Sequence, residues 1–230
     1  MPISKEKRAD GGYDINGSPE DEAILGSAGN DRIAGDGLAD GLGTTHGNNL
    51  ILAGAGNDTV HAGYGSDTVS GGRGDDLIHG YGVQGGPTAG ATASLILNDG
   101  PDLLLGGAGN DTILGGGGGD TILGGPGDDL IRGGAGADLL SGGSGHDTFA
   151  FGFTPIFQRP DSGVGEGARD VILDFRPGTD KLDLRALNPG TSLHTEVTEF
   201  GLLVEFTALG RPQEIALLGV DHLGSGDILV

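Results

Sequence analysis

Residues 106–150 read GGAGNDTIL, GGGGGDTIL, GGPGDDLIR, GGAGADLLS and GGSGHDTFA, nine residues at a time and without a break in phase. The shared pattern is Gly-Gly-x-Gly-x-Asp-x-aliphatic-x. Upstream, Gly26–His79 carries the same pattern in its own phase and ends on AGAGNDTVH, AGYGSDTVS and GGRGDDLIH. Position six is Asp31, Asp40, Asn49, Asp58, Asp67 and Asp76 in this earlier block, then Asp102, Asp111, Asp120, Asp129, Asp138 and Asp147. Position eight is Ile33, Leu42, Ile51, Val60, Val69, Ile78, Leu104, Ile113, Ile122, Ile131, Leu140 and Phe149, apolar throughout. One apolar residue per nonapeptide suits a three-residue strand, because side chains on a strand alternate between its two faces. The other six residues must turn the chain. Glycines at positions two and four permit positive φ and a close backbone approach that a Cβ would block. A carboxylate beside turn carbonyls makes a hard oxygen site, of the kind calcium fills with roughly six to eight ligands at about 2.3–2.6 Å.

In these residues the chain resembles the calcium-binding β-roll of bacterial RTX proteins, whose signature is this nonapeptide. The resemblance implies an all-β fold, a parallel β-roll solenoid with two nonapeptides per coil and Ca²⁺ in the turns. Each position-six residue then lies over the one eighteen residues on. The expected pairs are Asp31 with Asn49, Asp40 with Asp58, Asn49 with Asp67 and Asp58 with Asp76, and later Asp102 with Asp120, Asp111 with Asp129, Asp120 with Asp138 and Asp129 with Asp147. About eight calcium sites follow, the two containing Asn49 being the weakest, and Glu22 is placed to add an edge site over Asp40. A lone Asp in a turn can equally be a solvated residue bonding its own backbone; the array in register argues for metal.

Glycine contributes 51 of 230 residues, aromatics 4%, and the formal net charge is −21, a composition that on its own suggests disorder. Residues 17–150 hold only Arg32, Arg73 and Arg132 as basic side chains. Protein cations therefore cannot neutralise the Asp rows, whereas metal can, and folding is expected to be linked to calcium binding. With no cysteine, disulfides and thiolate sites drop out, and bound calcium is the staple left to an exported chain. No stretch approaches the roughly twenty apolar residues of a membrane helix.

The division expected from the sequence is a flexible N-terminal tail (1–16), a first roll block (17–79), an insertion loop (80–96), a second block (97–150) and a C-terminal cap with a secretion signal (151–230). The tail has no apolar core of the kind a Sec signal needs. Residues 169–187, RDVILDFRPGTDKLDLRAL, resemble the capping element that follows the roll in serralysin-type proteases, related lipases and alginate epimerase modules. Such a cap covers the apolar end and open edge of the last coil. By the same resemblance Asp170 or Asp174 completes a terminal site over Asp138 or Asp147. Asp227-Ile228-Leu229-Val230 looks like the acidic-apolar end of a type I secretion signal.

No His-Glu-x-x-His and no Gly-x-Ser-x-Gly occurs, so neither a zinc protease nor a lipase elbow is written here. His46, His61, His79, His146, His194 and His222 are scattered; His61 and His79, eighteen apart, are expected to stack on an outer face. The reading is a non-catalytic calcium-binding RTX protein, secreted, extracellular and folding on external Ca²⁺. Its expected partners are calcium ions and, during export, a type I secretion apparatus, with no nucleic acid and no membrane span. The alternative is a carrier module of a larger extracellular enzyme, such as an epimerase or protease, that assists folding or contacts polysaccharide.

Overall fold

The three-residue strands expected from the repeat are an underestimate: through most of the roll each strand takes five or six residues of the nine, running on through the paired glycines, as in Thr112–Gly117 and Leu130–Ala135, and leaves three or four to turn. The computed structural model describes residues 3–18, 20–36, 47–81, 99–152, 169–186, 193–208 and 211–230. Its strands are β1 (Ser4–Lys7), β2 (Tyr13–Asn16), β3 (Ala23–Ser27), β4 (Arg32–Ala34), β5 (Leu50–Ala55), β6 (Thr59–Gly63), β7 (Thr68–Arg73), β8 (Leu77–Tyr81), β9 (Leu103–Ala108), β10 (Thr112–Gly117), β11 (Thr121–Pro126), β12 (Leu130–Ala135), β13 (Leu139–Ser144), β14 (Thr148–Ala150), β15 (Asp170–Ile172), β16 (Lys181–Asp183), β17 (Leu193–Val197), β18 (Gly201–Ala208), β19 (Arg211–Leu218) and β20 (Ile228–Leu229).

From β2 to β16 successive strands alternate between two facing sheets, ordered β1-β2-β4-β6-β8-β10-β12-β14-β16-β20 and β17-β18-β19-β15-β13-β11-β9-β7-β5-β3. Pairing along the roll is parallel, as in β10 with β12 and β11 with β13. This is the β-roll solenoid expected from the repeats. Among the described residues its core is a double file of position-eight side chains, Ile33, Ile51 and on to Phe149, continued by Ile172 and Leu182, each fully buried, while Leu42 lies outside the described residues. One large apolar residue per half-coil is a thin core. Among the described residues no helix is long and apolar enough to cross a membrane.

The structure corrects the sequence reading in three places. Of the expected tail, residues 3–16 are not loose: β1 and β2 form an antiparallel hairpin, and β2 adds to the first sheet with Ile15 against Ile33. Buried Ile15 covers the open end of the first coil, and Lys5 sits 4.4 Å over the Tyr13 ring. Second, β3 pairs with β5 as Ala23 with Leu50, and β4 with β6 as Arg32 with Thr59. That register skips a whole nonapeptide between Gly35 and Asn49. Third, Gly80 and Tyr81 stay in the coil and the chain is back in it at Asp99, so the insertion is narrower at its start than 80–96. Across it the roll is continuous, with Thr68 against Leu103 and Leu77 against Thr112.

At the C-terminal end, β15 and β16 extend the two sheets by a further coil. The β17–β18–β19 meander closes one sheet through β19 on β15, and β20 closes the other on β16. The terminal Ile228 and Leu229 are thus part of the folded cap.

Candidate metal centre

The turns of the roll gather on two edges. Those after the odd-numbered strands form a first edge, holding Asp31, Asp58, Asp76, Asp111, Asp129 and Asp147. Those after the even-numbered strands form a second, holding Asn49, Asp67, Asp102, Asp120 and Asp138. All eleven are buried. Asp40 lies outside the described residues. The pairs expected as Asp31 with Asn49 and Asp40 with Asp58 are replaced by Asp31 with Asp58, and Asn49 takes Glu22 as its earlier neighbour.

Within each edge one bond repeats: the backbone N–H at position six donates to Oδ1 of the position-six residue one coil on. On the first edge Asp31 donates to Asp58 at 2.7 Å, Asp58 to Asp76 at 2.8 Å, Asp76 to Asp111 at 2.8 Å, Asp111 to Asp129 at 2.8 Å and Asp129 to Asp147 at 3.1 Å. On the second, Asn49 donates to Asp67 at 2.7 Å, Asp67 to Asp102 at 2.8 Å, Asp102 to Asp120 at 2.9 Å and Asp120 to Asp138 at 2.8 Å. The pairs Asp67 with Asp102 and Asp76 with Asp111 bridge the insertion. Both rows reach into the cap, through Asp138 to Asp170 at 2.9 Å and Asp147 to Asp180 at 3.2 Å. Asp174 instead accepts bonds from Ser141 Oγ and the Gly142 and Gly143 amides. Asp180 escaped the sequence reading because the cap departs from the eighteen-residue period.

Because Oδ1 is committed to the backbone, Oδ2 decides the chemistry. Oδ2 of Asp31, Asp58, Asp67, Asp76, Asp102, Asp111, Asp120 and Asp129 is buried with no hydrogen-bond partner. A buried carboxylate oxygen left so costs several kcal/mol unless a proton or a cation reaches it. Burial pushes up the carboxyls of Asp58 and Asp129 to about 6, of Asp67 and Asp76 to about 7, and of Asp102 and Asp120 to about 9, with neighbouring carboxylates adding to the shift.

Beside Asp76, Asp111, Asp120 and Asp129 the room at Oδ2 is kept by the position-one glycine, whereas Asp58 and Asp67 have Ala53 and Ala62 at that position. A Cβ on Gly106 would lie 2.3 Å from Asp111 Oδ2 and 2.6 Å from the Gly124 carbonyl oxygen. One on Gly115 would lie 2.4 Å from both Asp120 Oδ2 and the Gly133 oxygen. Positions two and four carry the positive φ, as at Gly107 (119°) and Gly109 (138°). The donor set is all oxygen and matches a hard cation. Among the described residues no three His, Cys, Asp or Glu side chains converge on one point, so an ion here would draw on carboxylates from successive coils and complete its shell with carbonyls.

Asn49 illustrates the point with a neutral group. Its Nδ2 bonds to the position-one carbonyl of Ala62 at 3.3 Å and to Asp36 Oδ1 at 3.1 Å, an amide donor where its neighbours offer an anion. Glu22, expected over Asp40, donates its N–H to Asn49 Oδ1 while its carboxylate takes the Ser18 amide and hydroxyl. Two second-edge acids went unread in the sequence: Asp36, which also accepts from the Tyr64 amide, and Asp99, pushed by burial to about 8. His61 and His79 do stack, 4.6 Å between ring centroids; burial and then His61 hold His79 down to about 4.

The sequence pattern of the RTX calcium-binding nonapeptide repeat matches in four copies, at residues 16–41, 45–80, 94–122 and 114–149, just over half of the chain. No curated protein matches it. Among solved structures, the solution structure of the AlgE6R3 subunit of the Azotobacter vinelandii mannuronan C5-epimerase is similar at 35% identity, covering 64% of this chain and 84% of that one with a TM-score of 0.43. The AlgE6R2 subunit of the same enzyme is similar at 32% identity, covering 70% and 90%, with a TM-score of 0.40.

Proposed function

The chain belongs to the RTX calcium-binding nonapeptide repeat family, and from that premise we propose that it is a secreted, extracellular, non-catalytic β-roll whose folding is coupled to calcium. The observation that carries this is the row of buried position-six carboxylates whose Oδ2 atoms lack any partner. Asp31, Asp58, Asp67, Asp76, Asp102, Asp111, Asp120, Asp129, Asp138 and Asp147 are the proposed ligands, with Asn49 a weak one and Asp40 assigned on sequence alone. Calcium, when bound, supplies the divalent charge that this all-oxygen set lacks. Small residues at position one, glycine in most repeats and Ala53 and Ala62 in two, leave the gap for it, and the glycines at positions two and four turn the chain around it.

A thin core, a charge of −21 and stacked buried anions leave the metal-free roll short of stabilising interactions, so ordering and ion uptake become one event. Such a chain stays unfolded where calcium is scarce, which suits export through a type I apparatus, and closes outside. In circular dichroism, millimolar Ca²⁺ added to chelated protein should produce a β spectrum. Mg²⁺ should not, since it demands tighter octahedral geometry. For export, a chain ending at Leu187 should no longer leave through a type I transporter; secretion equal to that of the full chain would remove the C-terminal signal from the proposal.

A further inference from the structure

On the first edge, Asp147 breaks the run of partnerless Oδ2 atoms, and what reaches it is a cation. Arg176 Nη2 lies 3.2 Å from Asp147 Oδ2, 3.1 Å from Asp180 Oδ1 and 2.6 Å from the Gly145 carbonyl oxygen. These oxygens belong to a position-six carboxylate, to the carboxylate that stands over it one coil on, and to the position-four carbonyl of the same turn. One coil earlier the counterparts are Asp129, Asp147 and Gly127, and there Asp129 Oδ2 has no partner. The guanidinium thus occupies, within the cap, the gap that recurs along the whole edge.

We propose that Arg176 is a built-in counter-cation that fills the last gap of the first edge, so that this gap takes no calcium. The inference rests on the calcium reading of the earlier gaps. Arginine suits the place because it stays charged at any working pH and presents donors in a rigid fork. Its own backbone fixes it, the Arg176 N–H donating to Asp180 Oδ2 at 2.8 Å and Nε to the same oxygen at 3.4 Å. Asp147 and Asp180 are buried while the Arg176 side chain stays 41% exposed, so the charge enters from the cap side. Asp227, the next acid along, is likewise met by protein groups, the Gly178 amide at 2.9 Å and Lys181 Nζ at 3.6 Å. The cap end of this edge is therefore neutralised without metal, and offers a formed coil on which the preceding one can stack as its ions arrive.

Counting bound calcium by native mass spectrometry on the full chain tests this. Arg176→Gln opens the gap and should bind one more Ca²⁺ per chain than wild type. Asp180→Asn keeps the acceptor for the Asp147 amide and should leave the count unchanged. A folded Arg176→Gln protein with the wild-type count overturns the proposal, as does an Asp180→Asn protein that loses an ion. Should Arg176→Gln fail to fold, the Asp180→Asn count decides alone. Wild-type protein that takes up no calcium would be seen before any variant is made, and would bring down the calcium reading together with this one.

Discussion

The two edges of the roll are built from the same nonapeptide but differ in regularity. On the first, turn follows turn without interruption, and position five adds a second ladder in which Asn30, Asn57, Asp75, Asn110 and Asp128 each accept the position-five N–H of the next coil at 2.7–3.2 Å. On the second, the ladder starts with Asp21 and Asn48 accepting from Asn48 and Ser66, then meets Pro101, Gly119 and Ala137, which have no side-chain acceptor. Segments 37–46, 82–98 and 153–168 all join an even-numbered strand to the next odd one, so every one of them leaves from the second edge. That edge also holds the carboxyls pushed highest, Asp102 and Asp120 at about 9 against about 6 for Asp58 and Asp129. The two edges meet in the middle of this range, with Asp67 on the second and Asp76 on the first both at about 7. The first edge, whose turns are all described, keeps an unbroken run along which coil order can propagate.

The largest effect that would break this comparison comes from removing one carboxylate on each edge. Asp120→Ala removes a ligand shared by the gaps with Asp102 and Asp138. At calcium a hundredfold above its dissociation constant each lost site forfeits about 2.7 kcal/mol, so two cost about 5 kcal/mol. Asp129→Ala also touches two gaps but leaves the position-five ladder of its edge in place, and should cost less. Calcium-dependent thermal unfolding measures both; an Asp120→Ala protein that melts like wild type refutes the stacking.

Acid should partly replace calcium. The folded-state pKa values of these carboxyls lie above the unfolded value of about 4, so their protonated forms favour the fold. That contribution is complete below pH 4 and is lost as pH rises through 6 to 9, Asp58, Asp76 and Asp129 losing it around 6 to 7 and Asp102 and Asp120 near 9. Chelated protein should therefore gain β ellipticity when taken from pH 9 to pH 5, while calcium affinity falls over the same range as protons compete for the oxygens. More order at pH 9 than at pH 5 in chelator would contradict the assignment.

The smallest change sharpens the second edge. Asn49→Asp replaces the amide that bonds Ala62 O with an anion beside Asp36, and should add calcium affinity at the start of that edge, about tenfold at the Asn49–Asp67 gap, roughly 1.4 kcal/mol. Titration calorimetry reads it. Affinity equal to wild type would mean that the Asn49 gap takes no part in binding.

The comparison also explains what the sequence could and could not disclose. Position eight and position six repeat locally, so the core file and most of the carboxylate rows were legible from spacing alone. The register at Gly35–Asn49 was not, because the extra segment has the length of one repeat: Asp40 and Leu42 keep perfect phase in the sequence, yet Asp31 lies over Asp58. Gly80 and Tyr81 looked like loop for the opposite reason, since two residues are too few to display a period. Ile15 belongs to a single strand with no repeat to announce it. Asp180 and Arg176 sit beyond the last full nonapeptide, where contacts depend on how Pro177 and Gly178 turn the cap back onto the roll.

The most direct test of the central claim is a calcium titration of chelated protein in which bound ions and β ellipticity are read on the same samples. If the partnerless Oδ2 atoms are the ligands and their neutralisation closes the roll, ion uptake and ellipticity rise together with one midpoint from a largely unordered start. A chain already folded and melting cooperatively in excess chelator, or one that fills with calcium without changing its spectrum, would contradict the account.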